Sequence, residues 1–409
     1  MLQPYRVLIR VPHAPALMSF ALLGRLHTPA VPLVVTFLVA DWTGSYAISG
    51  LAVAATTLAH AVAGPLRGRA ADRGSAPVLL LVTGAAYALG SLALVGLVVA
   101  ADPSWWWVLV PLGLITGLCT PPVAQLGRAV WPRIARGRAV EAAYAVEATL
   151  QELLFVLAPL LAASAIALFG PVVAMLGCAV FSAAGPAAFA WALHRADVGA
   201  GPERPVVGTG SGLLRAGGFP ALLGFAALLV GGLTVVDLLI VGWARDRGAP
   251  ALAGLLAAVW AMGSLVGGLL AGGLPGRPRL LRRAVLAALG VCALVPVLPP
   301  VADAPVSLAG AVLFAGGAAI APTLAAANGR VAELAPEHAR SEAFGWFAAA
   351  TTLGSGLAAP VAGALLDTSG PAGAAAVAAG ALLIGVGLVA HHNARSSRSA
   401  PAADQTAVT

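Results

Sequence analysis

Charged residues are scarce in this 409-residue sequence, and lysine is missing altogether. Only 10% of the residues are charged while 60% are hydrophobic, and all 23 basic residues are arginines. An ordinary soluble domain carries about 25% charged residues, which it needs for a hydrated surface. This shortage excludes an ordinary soluble domain and indicates a protein that lies within a membrane.

The sequence also lacks the residue groupings that catalysis and metal binding require. It contains no HExxH motif, no Asp-rich cluster, no Ser/His/Asp set and no ATP-binding signature. Its cysteines, Cys119, Cys178 and Cys292, lie within apolar runs without metal-ligand spacing, so we interpret them as small buried hydrophobic residues. We therefore predict no enzymatic activity, no metal and no cofactor. A membrane-embedded enzyme, the alternative from another class, would need such a cluster at a membrane face.

Apolar runs long enough to cross a bilayer recur along the whole chain. A spanning helix needs about 20 mainly apolar residues, and counting such runs predicts an all-α integral membrane protein with twelve transmembrane helices, numbered here as spans 1 to 12. The predicted spans cover residues 15–40, 44–65, 77–100, 105–126, 143–168, 171–193, 219–243, 251–273, 281–298, 306–327, 343–366 and 371–391.

The arginines lie on one side of the predicted membrane. Of the 23, 20 fall in the segments that share a side with both chain ends, while Arg245 and Arg247 lie opposite and Arg25 lies inside span 1. Because basic loops stay in the cytoplasm, we predict a multi-pass protein of the bacterial plasma membrane with both termini cytoplasmic. We assign the net charge of +7 to this topology rather than to nucleic-acid binding. Without a small-residue cleavage site, span 1 is expected to be retained.

The chain divides into two halves of similar pattern. We predict a first six-helix bundle over residues 1–193, a cytoplasmic linker over 194–217, a second six-helix bundle over 218–392 and a disordered cytoplasmic tail over 393–409. Offsets of 204 and 201 residues align the halves in register, as expected of a duplicated bundle. The aligned positions are Gly50 with Gly254, Gly64 with Gly268, Gly68 with Gly272, Arg73 with Arg277, Pro121 with Pro322, Glu141 with Glu342 and Pro159 with Pro360.

A short polar interruption separates spans 2 and 3, and we predict that it forms a tight, charged turn. Its stretch Gly68-Arg69-Ala70-Ala71-Asp72-Arg73 resembles the loop signature of the major facilitator superfamily, and the resemblance covers essentially the whole chain. It implies two pseudo-symmetric six-helix bundles and a cytoplasmic gate in which Asp72 faces the start of span 11. The gate residues that the resemblance implies are Gly64, Gly68, Arg69, Asp72 and Arg73.

The rest of the chain departs from parts of the family pattern. The second copy of the motif, residues 268–277, has no aspartate, and the residues after Arg73 are not basic. The stretch 141–159 resembles uncharacterised actinobacterial members of efflux type. The family's drug–proton antiporters usually carry Gly-Pro on span 5 and an arginine on span 4, whereas this sequence has Ala158-Pro159 and no arginine between Trp105 and Gln125.

Four ionisable residues fall inside predicted spans, where they are costly and are functional candidates. Arg25 and Glu152 each lie about 15 Å deep from the same side, which predicts an Arg25–Glu152 pair. Glu147 points about 140° away from Glu152 around span 5, so it is not expected to share that partner. Two interpretations stay open: Glu152 or Glu147 carries a proton beside Arg25, or a permanently ionised pair fastens spans 1 and 5. Two interpretations also stay open for Asp237 on span 7. It either faces the cavity and binds a cationic substrate group or a proton, or it reaches the water at the outer face near Arg245.

Further polar and aromatic residues are candidates for lining a central cavity. The histidines His27 and His60 either titrate near neutral pH or pack as hydrogen-bonded residues. The cavity candidates are His27, Gln125, Thr323, Asn328, Phe344 and Trp346, of which the last two could instead pack the gate.

These features together predict a secondary active transporter. We expect proton-coupled export of a small hydrophobic or drug-like compound by alternating access, with import of a nutrient or metabolite as the alternative. The expected partners are a small-molecule substrate, the proton as coupling ion and the lipid bilayer, without nucleic acid, for a monomeric protein. Neither a filter-like repeat nor a ring of charges points to a channel.

Overall fold

A computed structural model describes residues 3–198, 211–215, 217–249, 251–273 and 279–398, and within these ranges the chain is helical without β-strands. The α-helices are α1 (Gln3–Arg10), α2 (Ala14–Arg25), α3 (His27–Thr43), α4 (Tyr46–Arg73), α5 (Ala76–Ala100), α6 (Leu109–Leu118), α7 (Val123–Ile134), α8 (Arg138–Arg195), α9 (Ser211–Arg215), α10 (Phe219–Asp246), α11 (Ala251–Gly273), α12 (Leu280–Cys292), α13 (Val306–Gly317), α14 (Ile320–Leu334) and α15 (Arg340–Arg398). Short 3₁₀ helices cover Pro103–Val108, Val295–Val297 and Glu337–Ala339.

The described helices supply twelve membrane crossings. Ten helical segments are long and apolar enough to cross a membrane, and two of them, with 58 and 56 residues, are double length. Each of these contains one non-helical glycine, Gly170 with φ 82° or Gly370 with φ 68°. Glycine tolerates this left-handed conformation, and Pro171 or Pro371 then begins the next helix. Counting both double segments as two crossings gives the predicted twelve.

Several spans continue beyond their predicted ends. Span 2 stays helical to Arg73, so the prediction of a charged turn over the gate motif is wrong, and the turn follows at Gly74. Span 4 continues to Ile134 and span 10 to Leu334, because apolar residues such as Trp131 and Val331 keep a buried face going past the arginines. A prediction from hydropathy alone therefore placed the ends of these spans too early in the sequence.

The predicted linker and tail are described only in part. Of the linker, residues 199–210 and 216 lie outside the described ranges, and Ser211–Arg215 forms a short helix. The last helix continues to Arg398, past the predicted start of the tail, and residues 399–409 lie outside the described ranges.

Two spans at equivalent positions of the two halves are interrupted. Span 4 breaks between Leu118 and Val123, where consecutive prolines, Pro121 and Pro122, cannot donate hydrogen bonds to the preceding turn. Span 10 breaks between Gly317 and Ile320, one turn before Pro322, which aligns with Pro121 in the half-repeat. Broken helices at matching positions are a feature of transporters, in which they lie beside the substrate site.

The packing of the two halves differs between the two membrane faces. We call the face that carries both chain ends the terminal face. The larger buried apolar cluster joins both halves there and includes Ala71 of span 2 and Phe344 of span 11. A second cluster around Val34 and Leu38 contains residues of spans 1 to 6 only. Exposed leucines, valines and phenylalanines on most spans supply the apolar surface that lipid requires.

Candidate functional site

At the terminal face, Asp72 joins the end of span 2 to the start of span 11. Its carboxylate accepts hydrogen bonds from the backbone N–H groups of Ser341 (3.1 Å) and Glu342 (2.8 Å). Span 11 begins at Arg340, so both donors belong to its first turn, where free N–H groups and the helix dipole attract an anion. Asp72 therefore lies where the resemblance implies, and its role as a gate stays a prediction.

A second polar contact reinforces this junction. Arg69 Nη2 lies 2.6 Å from Glu342 Oε1, and the indole of Trp346 donates to the same oxygen at 3.4 Å. The Glu342 side chain is only 5% exposed, so water screens the pair weakly. Trp346, a predicted cavity residue, thus belongs to the junction. Arg73 is the last residue of span 2.

Glycines allow the two backbones to meet at this junction. A Cβ atom at Gly68 would overlap the Ser341 carbonyl and lie 2.7 Å from the Cα of Glu342. One turn earlier, a Cβ at Gly345 would lie 2.7 Å from the Gly64 carbonyl carbon. Any larger residue would push the helices apart, because the atoms it meets are backbone atoms. We call these contacts of Gly64, Gly68, Arg69 and Asp72 with span 11 the terminal-face junction.

The Asp72→Asn variant is expected to populate states that are open at the terminal face. An asparagine has one acceptor oxygen and no charge, so the loss of one hydrogen bond and of the ion–dipole attraction costs about 1–3 kcal/mol. Thr149, which is 4% exposed and packs on Gly268 of the second half, provides a reporter position.

The measurement is thiol labelling of Thr149→Cys in a background without the three native cysteines. Labelling should become about tenfold faster or more with Asp72→Asn. The control is Asp102→Asn, since Asp102 only caps a 3₁₀ helix at the opposite face. Equal labelling rates in both backgrounds would show that Asp72 does not hold the junction.

Within the first half, Glu147 lies at the centre of a buried ionic cluster. Its Oε1 accepts from Arg25 Nη1 at 3.0 Å and lies 3.7 Å from Arg128 Nε, while its Oε2 accepts from the Trp131 indole at 2.8 Å. Gln151 also contacts Arg25 Nη1, at 3.3 Å. The Glu147 and Arg25 side chains are 4% and 7% exposed.

The predicted Arg25–Glu152 pair is wrong, because Arg25 is bonded to Glu147 and Gln151 instead. These two residues are four apart and therefore share one face of span 5, whereas Glu152 points to another face. The helix of span 5 begins at Arg138 rather than at residue 143, so Glu147 lies level with Arg25, and the rotation of the helix turns Glu152 to another face. The carboxylate of Glu147 joins spans 1, 4 and 5 through these contacts, which favours the fastening interpretation for Glu147.

Arg128 and Trp131 also belong to this cluster, although the sequence pattern did not predict them as members. Arg128 was assigned to a cytoplasmic loop, but it lies within α7 and its side chain is 13% exposed. The stretch from Trp105 to Gln125 indeed has no arginine, but span 4 continues past its predicted end and carries Arg128. The run of apolar residues around Trp131 carries the only signal that the helix continues.

Glu152 and Asp237 lie within electrostatic range of each other although they belong to different halves. Glu152 is partly exposed and Asp237 is exposed, although both lie deep among protein atoms, and Asp237 is near enough for its charge to act on Glu152. Side chains that interact across the halves occupy the space between them rather than the lipid surface. No hydrogen bond or ion pair to either carboxylate occurs among the residues that the structure describes.

Most of the other predicted cavity residues are buried in this conformation. Phe344 packs near Tyr144 of span 5, with ring centroids 6.3 Å apart, and so contributes to contact between the halves. The buried candidates are His27, Gln125, Thr323, Asn328 and Phe344, each at most 3% exposed. Their role in substrate binding stays a prediction.

Sequence and structure comparisons identify what this chain is similar to. A family model described as Major Facilitator Superfamily matches residues 16–323 and 221–407. Among curated proteins none matches the sequence.

Solved structures share the fold at low sequence identity. A bacterial homologue of the iron transporter ferroportin, in an outward-facing state with soaked iron, is 17% identical with a TM-score of 0.76, covering 93% of this chain and 99% of that one. The transporter FucP, in an outward conformation, is 14% identical with a TM-score of 0.72, covering 94% and 99%. The human organic anion transporter MFSD10 (TETRAN) is 17% identical with a TM-score of 0.62, covering 95% and 100%.

Proposed function

Because the chain belongs to the Major Facilitator Superfamily, whose fold supports secondary transport by alternating access, we propose that it is a proton-coupled exporter of a small hydrophobic compound. The observation that carries this proposal is the pair of accessible carboxylates, Glu152 and Asp237, which interact across the two halves. In the proposal these two residues bind the coupling proton.

The contrast between the three acids of spans 5 and 7 supports this assignment. Both oxygens of Glu147 are occupied by contacts with Arg25, Arg128 and Trp131, so the proposal does not assign the proton to this residue. Glu152 and Asp237 have no bonded cation among the described residues. The proposal therefore assigns the coupling proton to these two carboxylates.

In this proposal, opening and closing of the terminal-face junction exposes the two carboxylates to one side of the membrane and then to the other. In the proposal, the two carboxylates open to the side opposite to the termini while the junction is formed, and the arginine bias makes this side the outside. Breaking the junction would separate spans 2 and 11 and expose the same carboxylates to the cytoplasm. Protons that enter from outside would then leave inside while substrate moves the other way. The apolar spans around the carboxylates favour a hydrophobic substrate.

The test uses inside-out vesicles with a panel of lipophilic fluorescent dyes, among them ethidium. An imposed pH gradient should drive dye accumulation by the unaltered protein, and Glu152→Gln and Asp237→Asn should each abolish it. These variants should keep normal expression and thermal unfolding, since neither carboxylate makes a bond in the described structure.

The control for this test is Glu333→Gln, since Glu333 only forms an exposed pair with Arg330. Its dye accumulation should equal that of the unaltered protein. Gradient-driven transport that survives in both carboxylate variants would refute the proton role. Transport only in right-side-out vesicles would identify an importer.

A further inference from the structure

Arg67 is a buried arginine of span 2 that does not belong to the terminal-face junction. Its residue exposure is 6%, and its Nε donates to the Ala63 carbonyl at 3.2 Å. One terminal nitrogen, Nη2, donates to the His60 carbonyl at 3.1 Å, and the other, Nη1, is buried without a hydrogen-bond partner among the described residues. The guanidinium thus turns back along its own helix, toward the middle of the membrane.

Other polar groups of the first half surround this guanidinium. Arg67 Nη2 lies 3.5 Å from His60 Nδ1, and the charge of Arg67 acts on Tyr87 of span 3 and on Cys119 of span 4. The ring of His27, from span 1, lies 5.1 Å from the ring of Tyr87. Both ring nitrogens of His27 are buried, and neither makes a hydrogen bond of normal geometry to a described residue, although the Gly24 carbonyl lies nearby. Four spans therefore direct polar groups to one place, which we call the Arg67 cluster.

No acid in the first half is available to neutralise Arg67. Glu147 is bonded to Arg25, Asp72 is bonded to span 11, and Glu152 lies in range of Asp237. Glu141 lies near Arg283, and the remaining two acids lie at the opposite ends of spans 1 and 3. The complete set of acids between residues 1 and 193 is Asp41, Asp72, Asp102, Glu141, Glu147 and Glu152.

A buried arginine without a counter-charge is costly. Removing an ion from water is unfavourable even after relaxation, and this cost persists unless a charge or hydrogen bonds offset it. The carbonyl oxygens of Ala63 and His60 satisfy part of the guanidinium, but they leave its net charge and its Nη1 group unmatched. Neutral His27 also has one N–H donor, which the nearby Gly24 carbonyl does not meet in normal hydrogen-bond geometry.

We propose that the Arg67 cluster binds a small monovalent inorganic anion, of which chloride is the probe. One uncompensated positive charge calls for one negative charge, and enclosure by four spans admits only a small ion. Arg67 Nη1 and His27 supply donors from two spans, and His60, which is partly exposed, lies on the side through which the ion enters.

A small internal cavity next to the cluster supplies further polar surface. Its volume is about 20 Å³, and Tyr87, Thr56, Ser91 and Thr116 contribute to its wall. A cavity of this size holds about one water molecule. Thr56 lies one helical turn before His60 on span 2, so the cavity adjoins the cluster along this span. A water molecule held in the cavity would hydrate the bound anion on the side away from Arg67.

The bound anion would also fix the orientation of the Arg67 side chain along span 2. Arg67 lies between Gly64 and Gly68, whose backbone atoms meet span 11 at the terminal-face junction. A fixed charge pair at this point keeps the guanidinium folded along the helix and away from span 11. Anion binding is thereby expected to stabilise the folded protein and, within it, the closed junction.

The experiment measures thermal unfolding of the purified protein in chloride and in gluconate at equal ionic strength. The unaltered protein should unfold at a temperature that rises saturably with chloride, on the order of 2–5 °C in total. Arg67→Met should lose this dependence, and Arg138→Gln, a change at an exposed arginine, should retain it. An unaltered protein that is insensitive to chloride, or an equal dependence in Arg67→Met, overturns the proposal.

A second measurement covers the case in which Arg67→Met does not fold. Crystals of the unaltered protein grown in bromide should show an anomalous scattering peak beside Arg67 Nη1 and His27. Bromide has the charge of chloride and a similar size, so it should occupy the same site. A bromide-grown crystal without such a peak overturns the proposal whatever the variant does.

Discussion

Replacing Glu147 by alanine is expected to cost about 3–5 kcal/mol of folding free energy, because it leaves buried charge without a counter-ion. The change leaves the Arg25 guanidinium, which has 7% side-chain exposure, without its ion-pair partner and removes the carboxylate beside Arg128. It also removes the acceptor of the Trp131 indole. A fall of many degrees in the unfolding temperature should follow, together with lower expression.

The comparison with Glu333→Ala measures how much of this effect comes from burial. Glu333 also pairs with an arginine, at 2.8 Å, but its side chain is 57% exposed. Exposed ion pairs contribute at most about 1 kcal/mol, so this control should unfold nearly as the unaltered protein does. If the two variants unfold at the same temperature, the buried cluster does not fasten spans 1, 4 and 5.

Glu147→Gln separates fastening from proton transport. Glutamine keeps an acceptor for the Trp131 indole but removes the charge, so the protein should be destabilised less than by alanine. In the folded fraction, dye transport should still respond to a pH gradient, because the proposed proton carriers are Glu152 and Asp237. Loss of gradient-driven transport with normal stability would assign the proton role to Glu147 instead.

The ionic clusters show what the sequence can and cannot predict here. Counting residues along the predicted spans put Arg25 level with Glu152, but the helix of span 5 begins at Arg138 rather than at residue 143, so the count placed Glu147 too close to the terminal face. The partner of Arg25 depends on how span 5 is rotated about its axis, and packing against other spans sets that rotation. A one-dimensional pattern does not contain it, so Glu152 was predicted in place of Glu147.

The predicted ends of spans 2 and 4 were wrong for a related reason. Hydropathy falls at Arg67 and again at Arg128, so both helices were predicted to stop before these residues. Each helix continues because one face stays buried while the arginine finds polar groups inside the bundle. The contact of Asp72 with span 11 was predictable because the family resemblance supplied the long-range pairing. No comparable signal linked Glu152 to Asp237.

A single methyl group at Gly68 is expected to prevent the terminal-face junction from forming. In Gly68→Ala the new Cβ meets the Ser341 carbonyl and the Cα of Glu342, and backbone atoms cannot move aside as a flexible side chain can. Gly345→Ala should act in the same way from span 11, because its Cβ meets the backbone of Gly64 and Pro65. Both variants should transport dye at least about tenfold more slowly, an energy difference of about 1.4 kcal/mol or more.

The control and the readout distinguish a blocked junction from a damaged fold. Gly50 lies on the same span, and a Cβ there meets nothing within 4 Å, so Gly50→Ala should transport normally. In Gly68→Ala the Thr149→Cys reporter should label rapidly, as in Asp72→Asn, while the protein still unfolds cooperatively. Asp72→Asn weakens the junction and leaves some closed state, whereas the methyl group excludes that state. Transport should therefore fall further in Gly68→Ala, and the opposite order would mean that hydrogen bonding rather than backbone contact controls closure.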